Sequence, residues 1–245
     1  MIKLFCLPYA GGSAMVYNRW KLSINGMIQI RPVELTGRGK RFTEPYYDNL
    51  MQAVDDIYRL VKPELNGLYA FYGHSMGSLL VYELVRKINS LPHPQPVHLF
   101  LSGGSPPHIR KSDKVYHKMP EEQFKEEIFK MGGTPREVFE NKELLEIFIP
   151  LLRADYKILE TYEFQPEHPV FDCGITLFNG KEDEEVTSDE IRQWQRYTKV
   201  QCPLHEYESG HFFIHDQMED IVQIINDTLI QALLQSEVSH QVFGM

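Results

Sequence analysis

Leu68-Tyr-Ala-Phe-Tyr-Gly-His-Ser-Met-Gly-Ser-Leu-Leu-Val-Tyr82 is the stretch on which the fold turns. It runs from a short aromatic and apolar segment through Gly73-His74-Ser75-Met76-Gly77 into apolar residues at helical spacing. A G-x-S-x-G between a strand and a helix sets a serine on a strained elbow, with its Oγ exposed above the edge of a sheet. Ser75 is therefore the candidate nucleophile. Residues flanking so tight a turn must let strand and helix backbones approach without a Cβ between them, hence the two glycines. The competing reading is an ordinary Gly/Ser turn, because the five-residue match alone arises by chance, and the flanking chain has to decide.

Upstream, Lys3 to Leu7 reads as a buried strand that ends at Pro8-Tyr-Ala-Gly-Gly-Ser13, a loop of the small residues needed where backbone approaches a ligand. A glycine-rich loop after an early strand supplies one oxyanion donor in an acyl-transfer hydrolase, and the residue after the nucleophile supplies the other. The assigned donors are the amides of Ala10 and Met76, with Gly11 as the fallback for Ala10. Met27 to Val33 is read as a second strand. A core-facing helix from near Tyr46 follows, with Leu50, Ala53, Val54, Ile57, Leu60 and Val61 on one stripe.

Downstream, the elbow helix (Leu79, Leu80, Leu84, Ile88) leads to a strand at Val97 to Ser102, and the alternation implies a mostly parallel sheet flanked by helices. From Gly103 to about Asp172 strand signals stop. Helical stretches near Glu121 to Lys130, Arg136 to Glu140 and Asn141 to Thr161 take over, the last with Pro150 as an expected kink or break. An insertion at about 103–172 reads as a helical lid over the carboxyl edge of the sheet, or as extra core helices without a gating role. Strands resume at Cys173 to Asn179 and Val200 to Tyr207. A closing helix carries Ile221, Ile224, Ile225, Leu229 and Leu233, and the tail from Ser236 is expected to be loosely held.

The 245 residues suit a single catalytic domain with its inserted lid, and 42% hydrophobic with 24% charged residues is ordinary for a globular protein. A formal charge of −9 speaks against nucleic acid and anionic membrane as partners. Neither a signal segment nor a run of membrane-spanning length is read, so the cytoplasm is the expected location. Cys6, Cys173 and Cys202 lack metal-ligand spacing and are read as buried reduced thiols.

A serine needs a histidine base, and the base needs an acid to hold its tautomer. In this fold they follow in the order serine, acid, histidine. Asn179-Gly-Lys-Glu-Asp183 places a carboxylate just beyond one strand, and Ser209-Gly-His211 places a histidine just beyond the next. Asp183 is preferred over its neighbours Glu182, Glu184, Glu185 and Asp189, which read as a solvated acidic turn. His211 is preferred because Gly210 frees the backbone before it and Phe212-Phe-Ile214 anchors the loop after it. His74 is read as packing or support, and His215 as packing or solvent-facing.

Leu7-Pro-Tyr-Ala-Gly-Gly12, Gly37-Arg-Gly39, Gly73-His-Ser-Met-Gly77, Arg153-Ala-Asp-Tyr156, Phe178-Asn-Gly180 with Asp183, and Gly210-His-Phe-Phe213 resemble the type II thioesterases that accompany nonribosomal peptide and polyketide synthetases. The likeness spans nearly the whole chain. One departure is Leu35-Thr36 before Gly37, where that family usually has a proline. The resemblance implies an α/β-hydrolase that hydrolyses acyl or aminoacyl thioesters from the phosphopantetheine arm of carrier proteins. It implies no metal or bound cofactor, since the arm belongs to the substrate, and a monomer is expected. Two basic clusters are candidates for carrier docking: Arg38, Lys40 and Arg41, and Arg110, Lys111, Lys114 and Lys118. The alternatives are a medium-chain acyl-ACP thioesterase, a small-ester esterase and, from another class, a non-catalytic α/β-hydrolase used as a binding module.

Overall fold

In the computed structural model, which describes residues 1–109, 114–133, 138, 140–166 and 170–243, six short apolar runs become strands. These are β1 (Ile2–Leu7), β2 (Ile28–Pro32), β3 (Tyr69–His74), β4 (His98–Ser102), β5 (Gly174–Gly180) and β6 (Leu204–Tyr207). They build one sheet in the order β2-β1-β3-β4-β5-β6, with each neighbouring pair parallel. Parallel strands need crossovers, and α1 (Leu50–Val61), α2 (Met76–Asn89) and the short α5 (Ser188–Arg192) lie in three of them; α6 (Met218–Phe243) follows the last strand.

The period of two along β3 divides its side chains between two cores. Tyr69 and Phe71 enter a core with α1, α2 and Trp194. Ala70 and Tyr72 enter the other, with Trp20 and the apolar side of α6. Burial on both faces explains why β3 reads as a continuous apolar run rather than an alternating one. The architecture is the α/β-hydrolase arrangement expected from the sequence.

After β1 the chain moves outward to β2, then returns past β1 to β3. Loops leaving β1 and β3 therefore diverge at a topological switch point, where such sheets bind ligands. Leu7 pairs with Gly73 in register, so the Pro8–Ser13 loop and the Ser75 elbow leave the sheet side by side.

Between β4 and β5 lie α3 (Glu121–Met131) and α4 (Lys142–Glu160), in the segment read as a lid. The helix expected near Arg136 to Glu140 falls largely outside the described residues. Pro150 does not break the chain into two helices. It lies within α4 on an exposed side, where the carbonyl that loses its intrahelical donor meets water. The last strand is shorter than expected: Val200 to Pro203 lie outside it, and it begins at Leu204. Leu60 is 45% exposed, away from the α1 stripe assigned to it. The backbone stays helical to Phe243, where the sequence suggests a loose tail from Ser236.

Candidate active site

The elbow is strained as its sequence requires. Ser75 has φ 54° and ψ −115°, the only positive φ of a non-glycine residue among those described. Its amide donates to the Ser102 carbonyl at 2.7 Å, which ties the elbow to the end of β4. A Cβ on Gly77 would stand 2.3 Å from the Leu7 carbonyl oxygen, and one on Gly73 would stand 2.2 Å from the Gly77 oxygen. Backbone occupies both places, so no side-chain adjustment admits a larger residue.

Asp183 and His211 arrive from the ends of β5 and β6. His211 Nδ1 lies 2.7 Å from Asp183 Oδ2. A carboxylate only accepts, so Nδ1 carries the proton and Nε2 is left as the acceptor. The other carboxylate oxygen accepts the amides of Glu185 (2.7 Å) and Val186 (3.0 Å), which hold it in place. Asp183 is buried to 7% exposure, and none of the neighbouring acids bonds to His211. The histidine ring stands 5.3 Å from that of His74, the residue before Ser75. All three candidates thus occupy one end of the sheet. Ser75 Oγ makes no hydrogen bond to His211 in this state, a looseness common before substrate binds.

His74 is fully buried, its Nδ1 2.8 Å from Ser102 Oγ, which fits packing and support. Met76 begins α2, and its amide has no acceptor among the described residues; neither has that of Ala10. Gly11, the fallback donor, does not qualify, because its amide donates to Asp155 Oδ2 at 2.7 Å.

The sequence reading overlooked the aromatic residue in the first loop. Tyr9 is nearly buried, its hydroxyl lies 3.1 Å from His215 Nε2, and its ring meets that of Phe212 edge-on at 5.1 Å. It thereby ties the Ala10 loop to the His211 loop. Burial pushes the Tyr9 hydroxyl up to about 12 and lowers His215 below its ordinary value, so both stay neutral partners at pH 7. A large aromatic within a run of glycines is the signal that would have found it.

A cleft of about 110 Å³, open to solvent, lies between this loop and the insertion. Ala10, Ile128, Met131, Phe148, Leu152 and Phe212 contribute to its walls, and among the described residues no charged side chain does. Ser75 stands outside that lining.

The basic clusters need correction. Arg38 is buried to 4% exposure and bonds to Asp155, so it presents no charge to a partner. Arg41 is largely occupied by Glu44 and Asp56, and Lys114 pairs with Glu127. Arg110 and Lys111 lie outside the described residues; among those described, Lys40, Lys114 and Lys118 are exposed, Lys114 with Glu127 as its ion-pair partner.

Comparison with known proteins fits this geometry. The family model described as a thioesterase domain matches residues 2–229. The chain belongs to the thioesterase family. Among its relatives is the gramicidin S biosynthesis protein GrsT of Aneurinibacillus migulanus, 36% identical, with 91% of this chain and 87% of GrsT aligned. The crystal structure of ClbQ from the colibactin NRPS/PKS pathway superposes with a TM-score of 0.91 at 38% identity, covering 95% of this chain and 98% of that one. BorB, the type II thioesterase of the borrelidin biosynthetic cluster, superposes with a TM-score of 0.84 at 28% identity, covering 93% and 92%. The resemblance to type II thioesterases holds on both sequence and structure, and the protein is a thioester hydrolase.

Proposed function

We propose that this thioesterase hydrolyses acyl or aminoacyl thioesters from the phosphopantetheine arm of carrier proteins of nonribosomal peptide or polyketide synthesis, by an acyl-serine mechanism. The observation that carries the mechanism is the 2.7 Å His211–Asp183 bond beside the strained Ser75 elbow. The relatives' roles in gramicidin S, colibactin and borrelidin biosynthesis support the substrate class.

Ser75 Oγ attacks the thioester carbonyl carbon as His211 Nε2 takes its proton. Asp183 keeps the ring in that tautomer and stabilises the imidazolium. The amides of Ala10 and Met76 hold the tetrahedral oxyanion, each donor lowering the barrier by about 3 kcal/mol. The C–S bond then breaks, His211 returns the proton to the leaving sulfur, and an acyl-Ser75 ester remains. Water, deprotonated by the same histidine, attacks the ester, the C–Oγ bond breaks as His211 Nε2 returns the proton to Ser75 Oγ, and the acid is freed. The steps run through side chains and backbone amides of one chain, so a cytoplasmic monomer suffices, with no metal or cofactor of its own. The acyl group lies in the apolar cleft, and α3 and α4 act as its lid.

The test compares acetyl, aminoacyl and longer acyl groups on carrier protein with the same groups on coenzyme A and with an oxygen ester. Preference for carrier-bound thioesters, abolished by Ser75→Ala, is the expected result. Near-normal turnover by Ser75→Ala would overturn the mechanism. Equal turnover of the oxygen ester would favour a general esterase. A marked preference for eight- to twelve-carbon chains would favour the fatty acyl reading, which the apolar lining makes the second choice.

A further inference from the structure

Two motifs left without a role in the mechanism, Gly37-Arg38-Gly39 and Arg153-Ala154-Asp155-Tyr156, meet in the buried interior. We propose that Arg38 and Asp155 are positioning residues for the oxyanion site: they lock the turn that presents the Ala10 amide. The inference rests on the oxyanion role given to Ala10 above.

The turn spans Tyr9 to Gly12. The Gly12 amide donates to the Tyr9 carbonyl at 2.9 Å, and Gly11 has φ +77°, the left-handed value that a type II turn requires at its third residue. In a trans peptide the carbonyl and the following N–H point in opposite directions. Since the Tyr9 carbonyl faces into the turn, the Ala10 N–H must face out of it. Any rotation of the turn swings that donor.

The clamp holds both flanks of Gly11. Asp155, from α4, takes the Gly11 amide at 2.7 Å. Arg38, from the loop after β2, donates to the Gly12 carbonyl at 3.0 Å and to the Thr36 carbonyl at 3.2 Å. Between themselves Arg38 and Asp155 form a two-pronged pair at 2.8 and 2.7 Å. Their side chains are 4% and 3% exposed. Desolvation makes such a pair a poor stabiliser of a fold compared with apolar residues of similar volume. What the pair supplies that apolar residues cannot is direction, since each partner also bonds a peptide group of the turn. With the Gly11 and Gly12 amides both engaged, Ala10 is the amide between the turn's ends that keeps no acceptor among the described residues. Packing reinforces the arrangement: a Cβ on Gly11 would meet Leu152 of α4 at 2.9 Å and Phe148 at 3.0 Å.

Two variants separate direction from folding. Arg38→Met with Asp155→Leu replaces the pair by apolar groups, and Asp155→Asn keeps the shape while weakening both sets of bonds. Each is assayed for kcat and KM on an acyl thioester, for thermal melting, and for inhibition by a trifluoromethyl ketone analogue, whose tetrahedral adduct puts an oxyanion where the reaction does. For the double variant, kcat should fall about 30-fold with KM within about twofold, and ketone affinity should weaken by a similar factor. Asp155→Asn should show the same pattern at about fivefold. A merely structural pair would change the melting temperature without this parallel loss. Wild-type kcat and ketone affinity in the folded double variant overturn the inference; if the double variant does not fold, the same outcome in Asp155→Asn does so. Turnover retained by Ser75→Ala in the same assay instead removes the serine mechanism on which the inference rests.

Discussion

The candidate site has two halves built in different ways. On one side, the serine elbow and the His211–Asp183 pair occupy loops just beyond the ends of β3, β5 and β6, and each owes its geometry to its own few residues. Ser75 is held by the glycines beside it, and Asp183 by amides two and three positions away. On the other side, the Ala10 turn depends on partners far away in the chain: Asp155 is 144 positions from Gly11, and Arg38 is 117 from Asp155. Local sequence thus suffices to shape the groups that react. The turn that carries the proposed oxyanion donor is bonded to α4, which also walls the cleft, so on the proposed mechanism acyl selectivity and barrier lowering share α4. One consequence is that α4 cannot swing away freely. Its Asp155 is pinned to the turn, and its Ile158 belongs to the main core, whereas the buried residues of α3, Phe124 and Ile128, sit in a smaller cluster with Ile149 and Leu152 of α4.

Substitutions can break or sharpen this contrast. Ser75→Ala should reduce kcat by about 10⁴-fold or more while leaving the melting temperature nearly unchanged, because alanine keeps the same Cβ and positive φ and only the hydroxyl is lost. Asp183→Asn should lower kcat by about 10³ to 10⁴-fold with intact folding, since an amide no longer enforces the tautomer that leaves Nε2 free. Steady-state kinetics and calorimetry read both. Leu152→Ala, on the α4 side, should destabilise by about 2–3 kcal/mol and shift preference toward longer acyl chains, visible as a changed ratio of kcat/KM across an acyl series. If it altered stability alone, the cleft would not be the acyl site.

Tyr9→Phe tests the link between the halves. Loss of its bond to His215 should cost about 1 kcal/mol and lower kcat a few-fold by loosening the Ala10 loop against the His211 loop. Because burial lowers the His215 pKa in the folded state, the neutral ring is favoured by folding. Its contribution is fully present above the ordinary value near 6.5 and fades as pH falls below it. The wild type should therefore lose stability over that acid range more steeply than Tyr9→Phe, as melting temperatures between pH 5 and 7.5 would reveal. Smallest of all, Lys40→Glu should leave hydrolysis of a free acyl-coenzyme A within about twofold and raise KM only for carrier-bound substrate, more so at low salt.

The elbow was legible because a strand, five residues and a helix are contiguous, and because backbone crowding at Gly73 and Gly77 allows few other residues. Asp183 and His211 were legible because the order of strands places their loops on one edge. Arg38 was misread as a surface charge for the opposite reason. Arginine in a glycine-bearing loop normally faces water, and nothing within ten residues of it announces Asp155. Tyr9 was passed over because its partners, Phe212 and His215, lie at the far end of the chain. Pro150 was expected to interrupt a helix, yet its exposed position lets the unpaired carbonyl reach solvent.

The sequence by itself determined the parallel sheet, the strained serine and the order of the three candidate residues, because these depend on periodicity and on contacts within a few positions. The tertiary structure alone decided which amide of the first loop is free, which arginine is buried and which side chains wall the cleft. Those depend on pairs separated by a hundred residues or more, brought together only when the sheet and α4 pack, and no local pattern encodes such a meeting.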